Sequence, residues 1–268
     1  HFEVVGRNVG ASVHGSIASW GALAIFCHRS GFYMLLPTGE MVPIGAEKVD
    51  RYFWTNVDTG NLGRVSSAID PVNGLYGILY PDNGAGGVPN QMLIYNWRLK
   101  RGSHATPAAL NLLFTGATQT SYTLDTLDTV NASMDALAFS LDSPIWQGVA
   151  LPLFSGFNTS HQSGFFNGDA MAATVDTAEV QLFEGRRARI KGARPLVDGG
   201  TVTMALRHRG ALADGLTTTA AISPNTHGMC PFNVNARYAR GRIVVASAGS
   251  WNHIQGVSDI EATPASVR

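Results

Sequence analysis

The chain has 268 residues, 45% of them hydrophobic and only 14% charged, and its 19 basic residues are balanced by 19 acidic ones. Soluble domains carry about 25% charged residues, so a surface this poor in charge suits a protein largely covered by partners. Zero net charge excludes a global field that would draw the chain to nucleic acid, and the length allows one large domain or two modest ones.

Thirty glycines and twelve prolines punctuate the chain at short intervals, as an all-β fold requires. Residues 14–44 read as a meander. His14 to Trp20 is strand-like, and Gly21 ends it. In Ala22 to His28, Leu23, Ile25 and Cys27 alternate with Ala24 and Phe26. Ser30-Gly31 turns into Phe32 to Leu36, and Thr38-Gly39 turns into Met41 to Ile44. Short helices are expected at Glu47 to Trp54 and around Ala132 to Leu137.

Residues 64–105 repeat the plan. Arg64 to Ile69 is a strand, Asp70 to Gly74 a turn, and Leu75 to Tyr80 the second strand. A Gly-rich loop over 81–89 leads to Gln91 to Trp97, and Gly102 to Ala105 is a fourth strand. The two meanders are offset by roughly 50 residues, the size of a propeller blade. A propeller typically needs four to eight blades, and an open pair leaves sheet edges and apolar faces exposed. The expectation is therefore that further blades precede His1, or that other chains cover these faces. A start at His1 rather than Met agrees with a longer chain.

After residue 106 the texture changes to Thr, Leu and small residues. From Gln147 onward, strands are expected at Gly148 to Phe154, Gly164 to Phe166, Met171 to Val175, Ala178 to Phe183, Arg187 to Val197, Thr201 to His208, Gly241 to Ala246 and Ser250 to Gln255. Turn signals such as Asp198-Gly199-Gly200 separate them. The sequence thus predicts an all-β chain: partial β-propeller-like meanders over 1–144, then a β-sandwich over 145–268.

Cys27 and Cys230 stand alone, without a CxxC or a disulfide framework. Buried thiols are the expectation, with a pairing of the two left open. Asn131 and Asn158 open sequons that matter only in a eukaryotic secretory context. No apolar run approaches the roughly 20 residues of a membrane helix, no signal peptide is visible, and no membrane partner is expected.

Chemistry-bearing patterns are sparse. Ser140 to Trp146 resembles the Asp-box of sialidase propellers, Ser-x-Asp-x-Gly-x-x-Trp, but Pro144 takes the Gly position and Trp146 arrives one residue early. Asp125, Asp128, Asp135 and Asp142 supply candidate carboxylate pairs for glycoside hydrolysis, against the plainer reading that they cap turns. The eight histidines form no HExxH and no Cys/His set, so neither a metal nor another cofactor is expected. On a strand, Arg207 and Arg209 share one face and His208 takes the other. The densest basic stretch holds Arg186, Arg187, Arg189, Lys191 and Arg194. It fits a DNA channel lining, and equally an exposed face or a contact with acidic groups on a neighbouring subunit. Gly84 to Gly87 lacks the Lys and helix of a phosphate loop.

Several longer stretches carry a resemblance. They are Val49 to Asn56, Arg64 to Pro71, Pro89 to Trp97, Ser140 to Ser143, Ala172 to Glu179, Gly185 to Ala188, Arg194 to Asp198 and Ala236 to Tyr238. Together they resemble bacteriophage and prophage tail proteins of the nozzle, hub or packaged-DNA stabilisation type. That resemblance implies a β-propeller platform in a ring of copies, usually hexameric, at the head-distal end of a short tail. It implies a virion location, neighbours such as adaptor and fibre proteins, contact with packaged DNA, and no catalysis. A second reading is a tail module that binds host glycan through Trp146, Phe157 and Trp251. A third is a propeller glycosidase using two of the four Asp residues above.

Overall fold

A computed structural model describes residues 9–45, 48–107, 109–117, 152–166, 168–247, 249 and 251–265. The protein is mostly β, with five antiparallel sheets, and among the described residues the sheets do not close into a propeller. The chain divides into two compact units, 1–166 and 167–268. The expected boundary near residue 145 lies outside the described residues.

The first unit opens with a 3-10 turn, His14–Ser16, where a strand was expected. The strand shortens to β1, Ala18–Trp20, and is followed by β2 (Leu23–His28), β3 (Gly31–Leu35) and β4 (Met41–Pro43). They form one antiparallel sheet in chain order. Helix α1, Lys48–Asn56, follows. The second sheet is again a meander in chain order: β5 (Ser66–Asp70), β6 (Leu75–Tyr80), β7 (Gln91–Asn96) and β8 (Arg101–Ala105). A third sheet has β10 (Pro152–Asn158) between β9 (Leu110–Ala117) and β11 (Ser163–Phe165).

The middle sheet explains its own sequence. Adjacent strand residues point to opposite faces, and here both faces are covered. Ile69, Tyr76, Ile78, Tyr80 and Leu93 share a core with Ile25, Cys27 and Phe32 of the first sheet and Phe53 of α1. Ala68, Leu79 and Met92 share another with Leu110, Leu113 and Phe154 of the third sheet. A strand buried on both faces reads as a continuous apolar run rather than an alternation. That is the pattern of β6, where five consecutive residues are buried. Gly77 keeps the second and third sheets close: a Cβ there would stand 2.7 Å from Met92 Cε, 3.1 Å from Phe154 Cζ and 3.2 Å from Leu113 Cδ2.

Hydrogen bonds to buried backbone groups tie the middle sheet to the His14–Ser16 turn and to the third sheet, since such groups need a partner once removed from water. Tyr76 Oη donates to the Ser16 carbonyl at 2.7 Å. Ser66 Oγ accepts from Leu113 N–H at 2.9 Å. Thr115 Oγ1 accepts from Ile69 N–H at 2.9 Å and donates to the Ile69 carbonyl at 2.7 Å.

The second unit has two sheets. One runs β12 (Ala173–Asp176), β17 (Tyr238–Val245), β14 (Val202–Arg209), β15 (Thr217–Thr218). The other runs β16 (Cys230–Ala236), β13 (Ala188–Val197), β18 (Ile254–Pro264). Their common core takes Ile190 and Ala193 from β13, Met204 and Leu206 from β14, Cys230, Phe232, Val234 and Ala236 from β16, and Ala239 from β17. The strand expected at Ala178 to Phe183 reduces to a single bridge, Val180 to Ala239. Both cysteines are free and buried.

Candidate functional site

Strand β13 alternates buried and exposed residues over its first half: Ala188 and Ile190 turn inward, Arg189 and Lys191 outward. Arg189 Nε donates to Asn233 Oδ1 on β16 at 3.2 Å. A bulge between Ile190 and Gly192 then breaks the register. Of the other expected basic contacts, Arg186 is exposed and Arg187 half-buried just before the strand. Arg194 pairs with Asp259, Nε to Oδ2, at 3.0 Å. The five basic residues therefore do not form one patch; Arg189 and Lys191 share an exposed face, while Arg194 already has an acid.

A denser cationic cluster lies on the other sheet of this unit. Thr203, Ala205, Arg207 and Arg209 alternate along β14 with inward Met204 and Leu206. On β17, Tyr238, Arg240 and Arg242 alternate with buried Ala239, Gly241 and Ile243. The register puts Arg207 directly opposite Arg240, Arg209 opposite Tyr238, and Arg242 opposite Asp176 on β12. Arg207 and Arg209 share a face, as strand geometry demands, and burial lowers the pKa of His208.

Two carboxylates organise these arginines. Asp176 accepts from Arg242 at 2.7 Å and 2.8 Å, through Nε and Nη2, and from Arg207 Nη1 at 3.0 Å. The Arg242 hydrogen bonds, joined by Arg207 and opposed by burial, pull the Asp176 carboxyl down to about 2. Glu179 takes Arg209 as a two-pronged pair, with Nε to Oε1 at 2.8 Å and Nη2 to Oε2. That pairing lowers the Glu179 pKa and raises that of Arg209. Arg240 acts on both carboxylates electrostatically. Its Nε, like that of Arg207, is buried and has no hydrogen-bond partner among the described residues. Asp176 and Glu179 hold three of these four guanidinium groups by hydrogen bonds, and Asp214 acts on Arg209 as a further acid, so among the described residues the face stays richer in arginine than in carboxylate. Guanidinium forks match carboxylate oxygens, which is how Asp176 and Glu179 are held here.

The aromatic residues considered for glycan contact separate. Trp146 and all four acidic candidates Asp125, Asp128, Asp135 and Asp142 lie outside the described residues. Trp251 is half-buried, its indole edge 3.3 Å from where a Gly200 Cβ would be, and its Nε1 is buried without a partner among the described residues. Phe157 is exposed and stacks on Phe114 with ring centroids 5.2 Å apart. With Leu112 and Phe165 it gives the third sheet an open apolar face. Among the described residues no three His, Cys, Asp or Glu side chains gather closely enough to hold a metal ion. No helix of the described chain is long and apolar enough to cross a membrane. No protein family matches the chain, and no curated protein matches it in sequence.

Sequence reasoning missed the four-arginine face as a unit. The arginines lie 30 to 66 positions from the acids that hold them, and the local alternations at Arg207/Arg209 and Arg240/Arg242 do not reveal that pairing.

Proposed function

We propose that this chain is a structural component of a bacteriophage virion tail. It is a nozzle or hub in a head-distal ring, which closes the DNA channel and carries fibres or spikes. In this reading the first unit is a run of propeller-like blades and the second a β-sandwich. The protein works by shape and assembly rather than by catalysis. Its partners are copies of itself, probed first as a hexamer, together with adaptor and fibre proteins and packaged DNA.

One observation carries the reading: the β5–β8 meander is covered on both faces by neighbouring sheets. Blades of a propeller are covered in this way, because each stacks between two others. Among the described residues of the first unit, the first and third sheets flank the middle one, and each leaves large apolar side chains exposed. Ile17 and Trp20 are 50% and 49% exposed at the start of the first sheet, and Phe157 and Phe165 are exposed on the third. Exposed apolar area of this kind suits contact with further protein. Within the same reading, Arg186, Arg187, Arg189 and Lys191 are the candidates to meet DNA or an acidic neighbour, while Arg194 is tied to Asp259.

Immunogold labelling of intact virions tests the assignment. Label at the head-distal tip of the tail supports it. A chain absent from purified virions, recovered as a free monomer, overturns it.

A further inference from the structure

Alternation along the β5–β8 meander builds one wall of a cavity. Tyr76 pairs with Tyr95 and Ile78 with Leu93 across β6 and β7; Tyr95 pairs with Gly102 and Leu93 with His104 across β7 and β8. Directly paired residues share a sheet face. This face therefore carries a row of large side chains that ends at Gly102, where β8 supplies none. The opposite wall comes from Val49 and Tyr52, three residues apart on α1, and from Phe32 and Ile44 of the first sheet region. A Cβ at Gly102 would stand 3.6 Å from Val49 Cγ2, an ordinary contact distance, so the missing side chain leaves room between the walls. The result is a cavity of about 240 Å³ with Tyr52, Ser103 and His104 at its exposed rim. No Asp, Glu, Lys or Arg of the described residues lines it.

We propose that this cavity binds a small uncharged aromatic molecule of one or two fused rings, which donates a hydrogen bond to His104. The proposal goes beyond the assembly role and does not depend on it. Size sets the first limit. An apolar cavity of about 150 Å³ takes up benzene, while drug-sized ligands need about 300–1,000 Å³; this cavity lies between. The lining sets the second. Phe32, Tyr76 and Tyr95 offer ring faces and edges to an aromatic guest, whereas an ion would lose its hydration with no opposite charge to replace it. The rim sets the third. Gln91 Nε2 donates to Asp82 Oδ2 at 3.0 Å. A carboxylate only accepts, so the Gln91 amide turns its oxygen to His104, and His104 Nε2 is the donor of that bond. Burial lowers the pKa of this ring, which favours its neutral form. Nδ1 is then an acceptor with no hydrogen-bond partner among the described residues, suited to an N–H or O–H of the guest.

Indole, two fused rings with one N–H, is the probe. Calorimetric titration of the purified full chain is expected to give a Kd below about 1 mM, with a negative heat-capacity change from apolar burial. In the methyl-labelled chain, NMR shifts should move at Ile44, Val49, Ile78 and Leu93, which line the cavity, and stay fixed at Ile190 and Ile243 in the second unit. Gly102→Leu fills the cavity and should weaken binding at least about tenfold without lowering the melting temperature, because its Cβ meets only ordinary contacts. Gly102→Ala takes less space and falls between; with the shift map, it carries the test if the Leu variant misfolds. His104→Phe keeps a ring but removes the acceptor, and should bind indole several-fold more weakly. Affinity unchanged in His104→Phe overturns the hydrogen bond to His104. Absence of binding, binding that Gly102→Leu leaves unchanged, or shifts that map away from the cavity overturn the site itself. If raising the protein concentration alone moves the same methyl signals, a side chain of another copy fills the cavity, and the inference is overturned.

Discussion

Ile78 and Leu79 are neighbours on β6, yet they belong to different cores. Ile78 is 1% exposed and packs toward the first sheet and α1. Leu79 is fully buried and packs toward β9 and β10. Truncating either to Ala removes three carbons, about 2.4 kcal/mol at about 0.8 per methylene. The unfilled cavity brings the expected loss to about 2–5 kcal/mol for each variant. On a sheet covered on one face only, one of two adjacent residues would lie at the surface, where truncation changes stability by less than about 0.5 kcal/mol. The pair therefore tests stacking of the middle sheet directly. Hydrogen exchange read by mass spectrometry on β6 and β7 peptides is the suitable assay, because a chain of two units need not unfold in one step. A loss of 2 kcal/mol corresponds to about 30-fold faster exchange. Both Ile78→Ala and Leu79→Ala should reach that. If either leaves exchange within about twofold of wild type, one face of the sheet is not covered and the stacked arrangement is wrong.

Further outcomes follow from other close contacts. Gly77→Val should destabilise the first unit by about 1–3 kcal/mol through overpacking against Met92, Phe154 and Leu113, measurable in the same exchange experiment; full tolerance would contradict the close approach of the sheets. Tyr76→Phe strands the buried Ser16 carbonyl and should cost about 1–3 kcal/mol, read from denaturant unfolding of the first unit. Asp176 titrates at about 2 when folded, against an ordinary 3.8. Because the folded value is depressed, its stabilisation is complete above about pH 4 and is lost as pH falls toward 2. Melting of the second unit should show that acid slope, and Asp176→Asn should flatten it. Burial, with Asp50 nearby, pushes the Cys27 thiol up to about 12, and burial also raises Cys230. Neither should react with an alkylating reagent in the native chain, and both should react on unfolding; rapid native labelling would contradict their burial.

Much of the strand order was legible, for local reasons. Leu75 to Tyr80, Gln91 to Asn96 and Ala188 to Val197 are bounded by turn residues and rich in apolar side chains, and each forms a strand close to its expected limits. The helix expected at Glu47 to Trp54 is observed as Lys48–Asn56. Strand β16 escaped notice although Cys230, Phe232, Val234 and Ala236 alternate perfectly with exposed residues. Pro231, Asn233 and Asn235 between them are poor strand formers, and pairing with β13 overrides that preference. The third sheet was legible only in part: strands overlapping β10 and β11 were expected, but β9 and its pairing were not. Strands β9 and β10 are separated by 34 residues between Ala117 and Pro152, and single-sequence patterns do not reveal partners so far apart. The same limit hid the arginine face: β14 and β17 meet only through long-range pairing, so the encounter of Arg207 with Arg240 has no local signature. The basic stretch on β13 was conspicuous in sequence for its density, but alternation and a bulge divide it.

The central claim is that this chain is one subunit of an assembly whose neighbours complete its stacked sheets. A cryo-electron microscopy reconstruction of the tail that contains it tests that claim most directly. The account predicts a closed ring of copies at the head-distal end, with the β1–β4, β5–β8 and β9–β11 sheets fitting the density of each subunit and their outer faces covered. Density that leaves the chain outside any ring, or with those faces open to solvent, would contradict it.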